Sequence, residues 1–332
     1  MKWVVYWTDA LVYVLLVGLL CWLRVFRKTE EWRLIRNRVL AHPRYWVALI
    51  ILILYGLVGF LDSIHFKTNN HHYATRSVLD VLFSPLDTKT EVTYSPPSKQ
   101  HLLGTDKIGR DVLYLSVKSI RTGLVIGTVT TLLMLPFAML FGMWAGYFRG
   151  WLDDVIQYTY TTLSSIPGIL LIAAAMLSFQ VKIEGDPDLR LLILCAILGV
   201  TSWTTLCRLL RGETLKLRES DFVQSAVALG VKHSKIVRRH IMPNLMHIVI
   251  ITVVLDFSGL VLAEAILSYV GVGVSPVSFS WGNMINASRL DMARDPVVWW
   301  SLAGALFFMF TLVFSANLFS DALQEALNPK VN

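Results

Sequence analysis

Apolar positions along the chain gather into seven long runs: residues 3–23, 45–61, 122–148, 155–181, 191–207, about 243–270 and 297–320. A helix rises about 1.5 Å per residue, so runs of this length match a hydrocarbon layer about 30 Å thick. The second run, 17 uncharged residues, is near the lower limit for crossing. The first is interrupted only by Asp9, and the sixth carries Asp256 and Glu264. Pro136 and Pro167 fall inside the third and fourth runs, where a packed bundle tolerates them as kinks. The pattern predicts an all-α membrane protein, a polytopic helix bundle. Its longest polar stretch, 62–121, is too short and too polar to be a separate catalytic domain.

Composition agrees: 55% of the 332 residues are hydrophobic and 16% are charged, against about a quarter charged in soluble domains. The net charge of +7 does not point to nucleic acid, because the basic residues are divided among segments flanking the apolar runs. Only Lys2 precedes the first run, while Arg24, Arg27 and Lys28 follow it, the reverse of a signal peptide. That run is expected to be an uncleaved helix with an extracytoplasmic N-terminus. Counting onward, 24–44, 149–154, 208–242 and the C-terminus fall in the cytoplasm, with 7, 1, 8 and 1 Lys/Arg, and 62–121 falls outside. Cys21, Cys195 and Cys207 show no metal-ligand spacing and are expected to face lipid or core. His71, His72 and His101 in the outer loop are favoured as solvated side chains over a metal site.

The basic segment 208–244 carries more than orientation requires. Asp221 is placed to cap a helix with Gln224 as its partner. Phe222, Ala226 and Leu229 fall on one side at helical spacing, with Val223 and Val227 beside them. Gly230 supplies a stop, and Pro243 separates the segment from the next span. The result is a helix of about eight residues, roughly 12 Å long, with an apolar face among basic residues.

Segment 224–243 resembles the cytoplasmic motif of ABC importer permeases, with Gln224-Ser225-Ala226 standing for the EAA-like triplet, then Gly230 and the close at His240-Ile241-Met242-Pro243-Asn244. Gln224 and Ser225 depart from that consensus, but the spacing is intact. Three more segments resemble the dipeptide/oligopeptide/nickel permeases: His101 to Leu113 with its Gly-Thr-Asp-x-x-Gly-Arg-Asp core, Ala263 to Gly273, and Asn317 to Leu323 with Asn328-Pro329-Lys330. In order, they cover roughly residues 40–332. The resemblance implies six core transmembrane helices of the ABC importer type over 45–332, and residues 1–44 would add a seventh helix and a cytoplasmic linker. A lipid-facing accessory helix is the plain reading of that addition.

The resemblance also implies partners: a second homologous permease subunit, two ABC ATPase subunits and an extracytoplasmic substrate-binding protein, assembled in the bilayer of a bacterial inner membrane. The chain lacks a Gly-x-x-x-x-Gly-Lys-Ser/Thr loop, so ATP and Mg belong to the ATPase chains, and no cofactor or metal is expected here. Asp221, Phe222, Gln224, Ser225, Ala226, Leu229, Gly230 and Pro243 are the expected coupling residues, with Phe222, Ala226 and Leu229 filling an ATPase groove ringed by Lys235, Arg238 and Arg239. Asp256 and Glu264, acids within a span, are candidates to line the translocation pathway and attract a cationic substrate end such as a peptide amine. Pairing with a neighbouring helix, or a position near the outer interface, is the alternative for both. Trp281 and Asn283, in the outer segment 271–296, are candidates for docking the binding protein, with an interfacial anchor the alternative for Trp281. Peptides, nickel chelates and peptide-like antibiotics all remain open as substrates. A stand-alone secondary transporter would need an internal repeat that the chain does not show. No side-chain cluster suits an intramembrane enzyme.

Overall fold

Six of the seven apolar runs become a helix or a bent helix pair, but polar residues set where the helices end. The computed structural model describes residues 2–4, 6–14, 43–67, 76–83, 92–180 and 185–327. After a short strand β1 (Lys2–Val4), residues 7–14 form α1, and Pro43–Asp62 form α2. A small outer layer follows, made of β2 (His65–Lys67), β3 (Arg76–Ser77) and α3 (Val78–Leu82). The main bundle comprises α4 (Val112–Phe148), α5 (Trp151–Ser165), α6 (Gly168–Gln180) and α7 (Pro187–Arg218). It continues with α8 (Asp221–Ala228), α9 (His233–Val270), α10 (Trp281–Asp291) and α11 (Trp300–Leu327). Among the described residues, five helices are long and apolar enough to cross a membrane, and α5 with α6 make a sixth if that bent pair is one span.

Several sequence expectations change. The expected span 3–23 cannot begin at residue 3, because β1 pairs antiparallel with β2, Trp3 opposite Phe66. The described part of α1 is no lipid-facing accessory either. Asp9 is buried and held by Arg121 at 2.5 Å and His65 at 2.9 Å, and Thr8 binds Asp188. The remainder of that run, with Cys21 and the 24–42 linker, lies outside the described residues, as do His71 and His72.

The polar stretch 62–121 is not loop throughout, because α4 starts ten residues before its apolar run. Asp111 caps it, accepting from the backbone N–H of Leu113 at 2.8 Å and Tyr114 at 3.2 Å. Asp106 instead braces the preceding turn through the N–H groups of Ile108 and Arg110. His101 is not solvated but hydrogen-bonds Asp111 at 2.8 Å. Lys118 and Arg121 sit inside α4 because buried acids neutralise them. Lys118 Nζ lies 2.9 Å from Asp62 and 2.5 Å from Asp80, and Tyr114 donates to Asp80 at 2.9 Å.

The run 155–181 breaks at Ile166–Pro167 into two helices at 86°, where a mild kink was expected. Pro136, by contrast, is absorbed within α4. Pro243 does not divide loop from span. Helix α9 passes through it from His233, using a π turn at Val237–Ile241 just before the proline. The wider turn shifts the hydrogen-bond register where proline has no N–H to give.

The core is built on close contact between α4 and α7. A Cβ on Gly142 would lie 2.8 Å from the carbonyl oxygen of Cys207, one on Gly146 2.7 Å from that of Arg211, and one on Gly199 2.7 Å from Leu133 Cβ. Cys195 and Cys207 are fully buried in α7.

Two outcomes follow for the outer charge cluster. Lys118→Met leaves Asp62 and Asp80 buried without a cation, at a cost of about 3–5 kcal/mol for breaking a buried pair. Thermal unfolding of the purified variant in detergent is expected to show a clearly lower midpoint. Burial raises the pKa of Asp80, but the Lys118 ammonium outweighs it and holds the carboxyl below its ordinary range. A depressed carboxyl stabilises above its unfolded value of about 4 and loses that contribution as pH falls through the folded value. Melting measured between pH 8 and 5 should therefore leave this contribution intact, with loss only at more acid pH.

Candidate coupling surface and membrane-embedded acids

The short helix α8 is fixed to the bundle by two residues and shows the rest to solvent. Val223 is fully buried and Ala226 nearly so, packed with Leu210, Tyr147, Ile236 and Ile241. Ala226 therefore faces its own bundle, and the outward face expected to include it carries Phe222, Ser225 and Leu229. Leu229 is 82% exposed and Phe222 45%. Val223 and Ala226, three apart, turn to the core, and Phe222 and Leu229, seven apart, line the adjoining side that stays open, with Ala226 at the boundary between them. Asp221 is not the cap. Ser220 holds that place with extended backbone, its carbonyl accepting from Val223 and Gln224 N–H, and Asp221 lies in the first turn where the helix dipole favours an acid. Gln224 reaches back to donate to the Arg218 carbonyl at 3.0 Å, tying α8 to the end of α7.

Gly230 takes φ +72°, and the turn around it closes both bonds of a left-handed helix stop. Val231 N–H donates to the Ala226 carbonyl at 3.1 Å and Gly230 N–H to that of Val227 at 2.9 Å. Beyond it, Tyr147 OH and His233 Nδ1 lie 2.7 Å apart, locking α4 to the start of α9. Arg211 makes a two-pronged pair with Asp153, at 2.6 and 2.7 Å, joining α7 to α5. Lys235, Arg238 and Arg239 are exposed beside α8. The sequence singled out neither Arg211 with Asp153 nor Tyr147 with His233. Their partners are 58 and 86 residues apart, and no local pattern pairs them.

The two acids of α9 have different surroundings. Glu264 is fully buried and accepts hydroxyl hydrogen bonds from Ser268 and Ser280, both at 2.6 Å. It does not line an open path. It clamps the end of α9 to Ser280, the residue that caps α10. Asp256 is half-buried and has no hydrogen bond or ion pair among the described residues.

The two outer docking candidates are also occupied internally. Trp281 is 1% exposed and donates from Nε1 to the Ser116 carbonyl at 3.0 Å, so it anchors α10 against α4 and cannot face a partner. Asn283 donates to the Ser275 and Ser278 carbonyls at 2.8 and 3.0 Å, holding the 275–278 turn. Among the described residues no group of three His, Cys, Asp or Glu side chains is placed to hold a metal ion.

A multi-pass helical bundle with an exposed, rigidly mounted helix at one end is the form of a membrane transport permease. The chain belongs to the family described as binding-protein-dependent transport system inner membrane component, which matches residues 138–332 and so contains α8 and α9. It is similar to the dipeptide transport system permease protein DppC of Bacillus subtilis (strain 168), 27% identical over 302 residues, covering 91% of this chain and 85% of that protein. It is similar also to DppC of Alkalihalophilus pseudofirmus, 31% identical with 77% and 83% covered. The glutathione transport system permease protein GsiD of Pectobacterium atrosepticum is 32% identical, with 71% and 74% covered. The chain is thus a transport permease subunit of the ABC importer type.

The left-handed stop of α8 is testable. No atom stands near a Cβ on Gly230, so Gly230→Ala pays only the conformational penalty of about 1–2 kcal/mol. Amide hydrogen exchange at Val227–Val231 is expected to quicken by about five- to thirtyfold, with distant helices unchanged.

Proposed function

We propose that this chain is half of the membrane pathway of an ATP-driven importer of peptides, working with a second permease subunit, two ATPase chains and an extracytoplasmic binding protein. The relatives are named for dipeptides and glutathione, molecules built on amide bonds, which supports the peptide reading. The N-terminus lies outside and α8 in the cytoplasm of a bacterial inner membrane, the arrangement the basic residues of 208–242 favour. Energy comes from the partner ATPases.

The observation that carries the coupling reading is the division of α8. Val223 and Ala226 bind it to the bundle while Phe222 and Leu229 stand exposed on the adjoining side. Large apolar side chains held at the aqueous end of a membrane protein are suited to a protein groove. Movement of the ATPase then passes from Phe222 and Leu229 to Val223 and Ala226, and from there into α4, α7 and α9.

The test is co-purification and uptake. Phe222→Ala with Leu229→Ala is expected to reduce retained ATPase subunits at least about tenfold, the scale of losing an interface anchor. Uptake should fall with it while thermal stability of the isolated permease stays unchanged. Full ATPase retention and full uptake in the double variant would refute the coupling role.

A further inference from the structure

The break between α5 and α6 lies at mid-depth in the bundle. Ile166 is extended and 43% exposed, Pro167 and Gly168 are exposed, and the helices on either side meet at 86°. On the inner side, Arg208 of α7 lies 5.1 Å over the Tyr160 ring, and Leu163 packs into the cluster of Trp203. On the outer side, Ile172 and Met176 share a core cluster with Leu191, Leu194 and Leu198. The break therefore falls between the levels of Leu198 and Trp203, the middle of Pro187–Arg218.

Unwound backbone at this depth is stable only against protein or water, because hydrocarbon offers no hydrogen bond. The carbonyls of Ser164, Ser165 and Ile166 accept no backbone N–H among the described residues, and Gly168 and Ile169 N–H find no backbone carbonyl. Leading up to the break, Tyr158, Thr161, Thr162 and Ser165 follow at helical spacing, all exposed, Tyr158 by 75%. A stripe of hydroxyls is unsuited to lipid.

Asp256 stands at the same level. It lies on the α9 face of Val249, seven positions before it, and Leu260, four positions after it. Val249 belongs to the Trp203 cluster and Leu260 to the cluster of Ile172 and Leu198. A Cβ on Gly127 would meet the Phe257 ring at 2.3 Å, so α9 is pressed on α4 beside Asp256. Helices α6 and α9 touch. One level of the bundle thus holds an unpartnered carboxylate, open backbone donors and acceptors, and a run of exposed hydroxyls, of which Ser165 donates to the Thr162 carbonyl.

We propose that this level is a polar station on the transport path. The broken backbone and the hydroxyls of Tyr158, Thr161 and Thr162 exchange hydrogen bonds with the amide groups of a passing peptide, and the Asp256 carboxylate holds its α-ammonium. The proposal rests on the peptide-import reading. A second permease subunit covering this face, or lipid, is the competing occupant. Lipid tails offer the Asp256 carboxylate and these hydroxyls no polar partner, and a permease subunit packed over them would leave both positions closed to a water-soluble reagent.

The test uses the complete importer in proteoliposomes, with its ATPases, second permease and binding protein. Thr162→Cys and Asp256→Cys are each placed in a chain whose own cysteines are replaced by alanine, with Thr252→Cys on the same α9 face standing in if Asp256→Cys fails to assemble. A charged, water-soluble thiol reagent is expected to label both positions, and a mixture of di- and tripeptides to slow labelling at least about tenfold during turnover. Asp256→Asn should raise the KM for peptide uptake at least about tenfold, and Asp256→Glu should restore much of it. Peptide uptake by the wild type with unreactive thiols at both levels, or with Asp256→Asn unchanged in KM, overturns the station and leaves peptide import standing. Water-accessible thiols in an importer that takes up no peptide overturn the peptide occupant together with the peptide reading, and only the aqueous lining survives.

Discussion

The backbones of α4 and α7 touch, and the rest of the structure depends on that contact. Gly142, Gly146 and Gly199 remove the side chains that would hold the helices apart, each at a point where a methyl group would meet the other helix closer than 3 Å. Two helices of 37 and 32 residues pressed together in this way form a stiff frame through the full bundle. Close packing transmits displacement because it has no slack to absorb it. At one end Val223 and Ala226 seat α8 on the frame, with Tyr147 and His233 tying in α9 and Asp153 and Arg211 tying in α5. At the other end Trp281 and the Lys118 cluster brace the outer layer against α4.

Polar groups inside this apolar frame divide into those with partners and those without. Lys118 and Glu264 are buried and Arg121 is partly buried; all three are engaged, and each closes a junction: the outer layer on α4, α10 on α9, and α1 on the bundle. Asp256 and the Ile166–Pro167 break are left open at mid-depth. In a bilayer that difference separates structural from functional polarity, because an open polar group has to meet something polar during the working cycle. The same division applies to α8, whose Val223 and Ala226 face inward and whose Phe222 and Leu229 are exposed.

Much of the bundle was legible in the sequence, since six of the seven apolar runs correspond to described helices or a bent helix pair. The cap-and-stop reading of α8 was right about its length and about Gly230, for which φ +72° is a local property. The misplacements share one cause. Lys118 and Arg121 made the start of α4 look like loop, Asp9 looked like an interruption in a lipid-facing helix, and Ala226 looked available to a partner. In each case the deciding contact comes from far along the chain: Asp62 and Asp80 for Lys118, Arg121 for Asp9, and Leu210 with Ile236 for Ala226. Trp281 and Asn283 read as surface residues because aromatic and amide side chains in an outer segment usually are, and only the carbonyls of Ser116, Ser275 and Ser278 show otherwise. Prolines were equally ambiguous. Pro136 is absorbed, Pro167 breaks its run and Pro243 is passed by a π turn, and neighbouring helices decide which.

The central claim is that α8 and the α4–α7 frame move as one body when the motor closes. The most direct measurement places spin labels at Ser225 on α8 and Val200 on α7, both exposed, and records their separation in the assembled importer with no nucleotide and with the ATPases trapped closed. A rigid mount predicts a single narrow distance that is the same in both states. A shifted distance, or a second population on closure, would show that α8 swings on its links and would contradict the account.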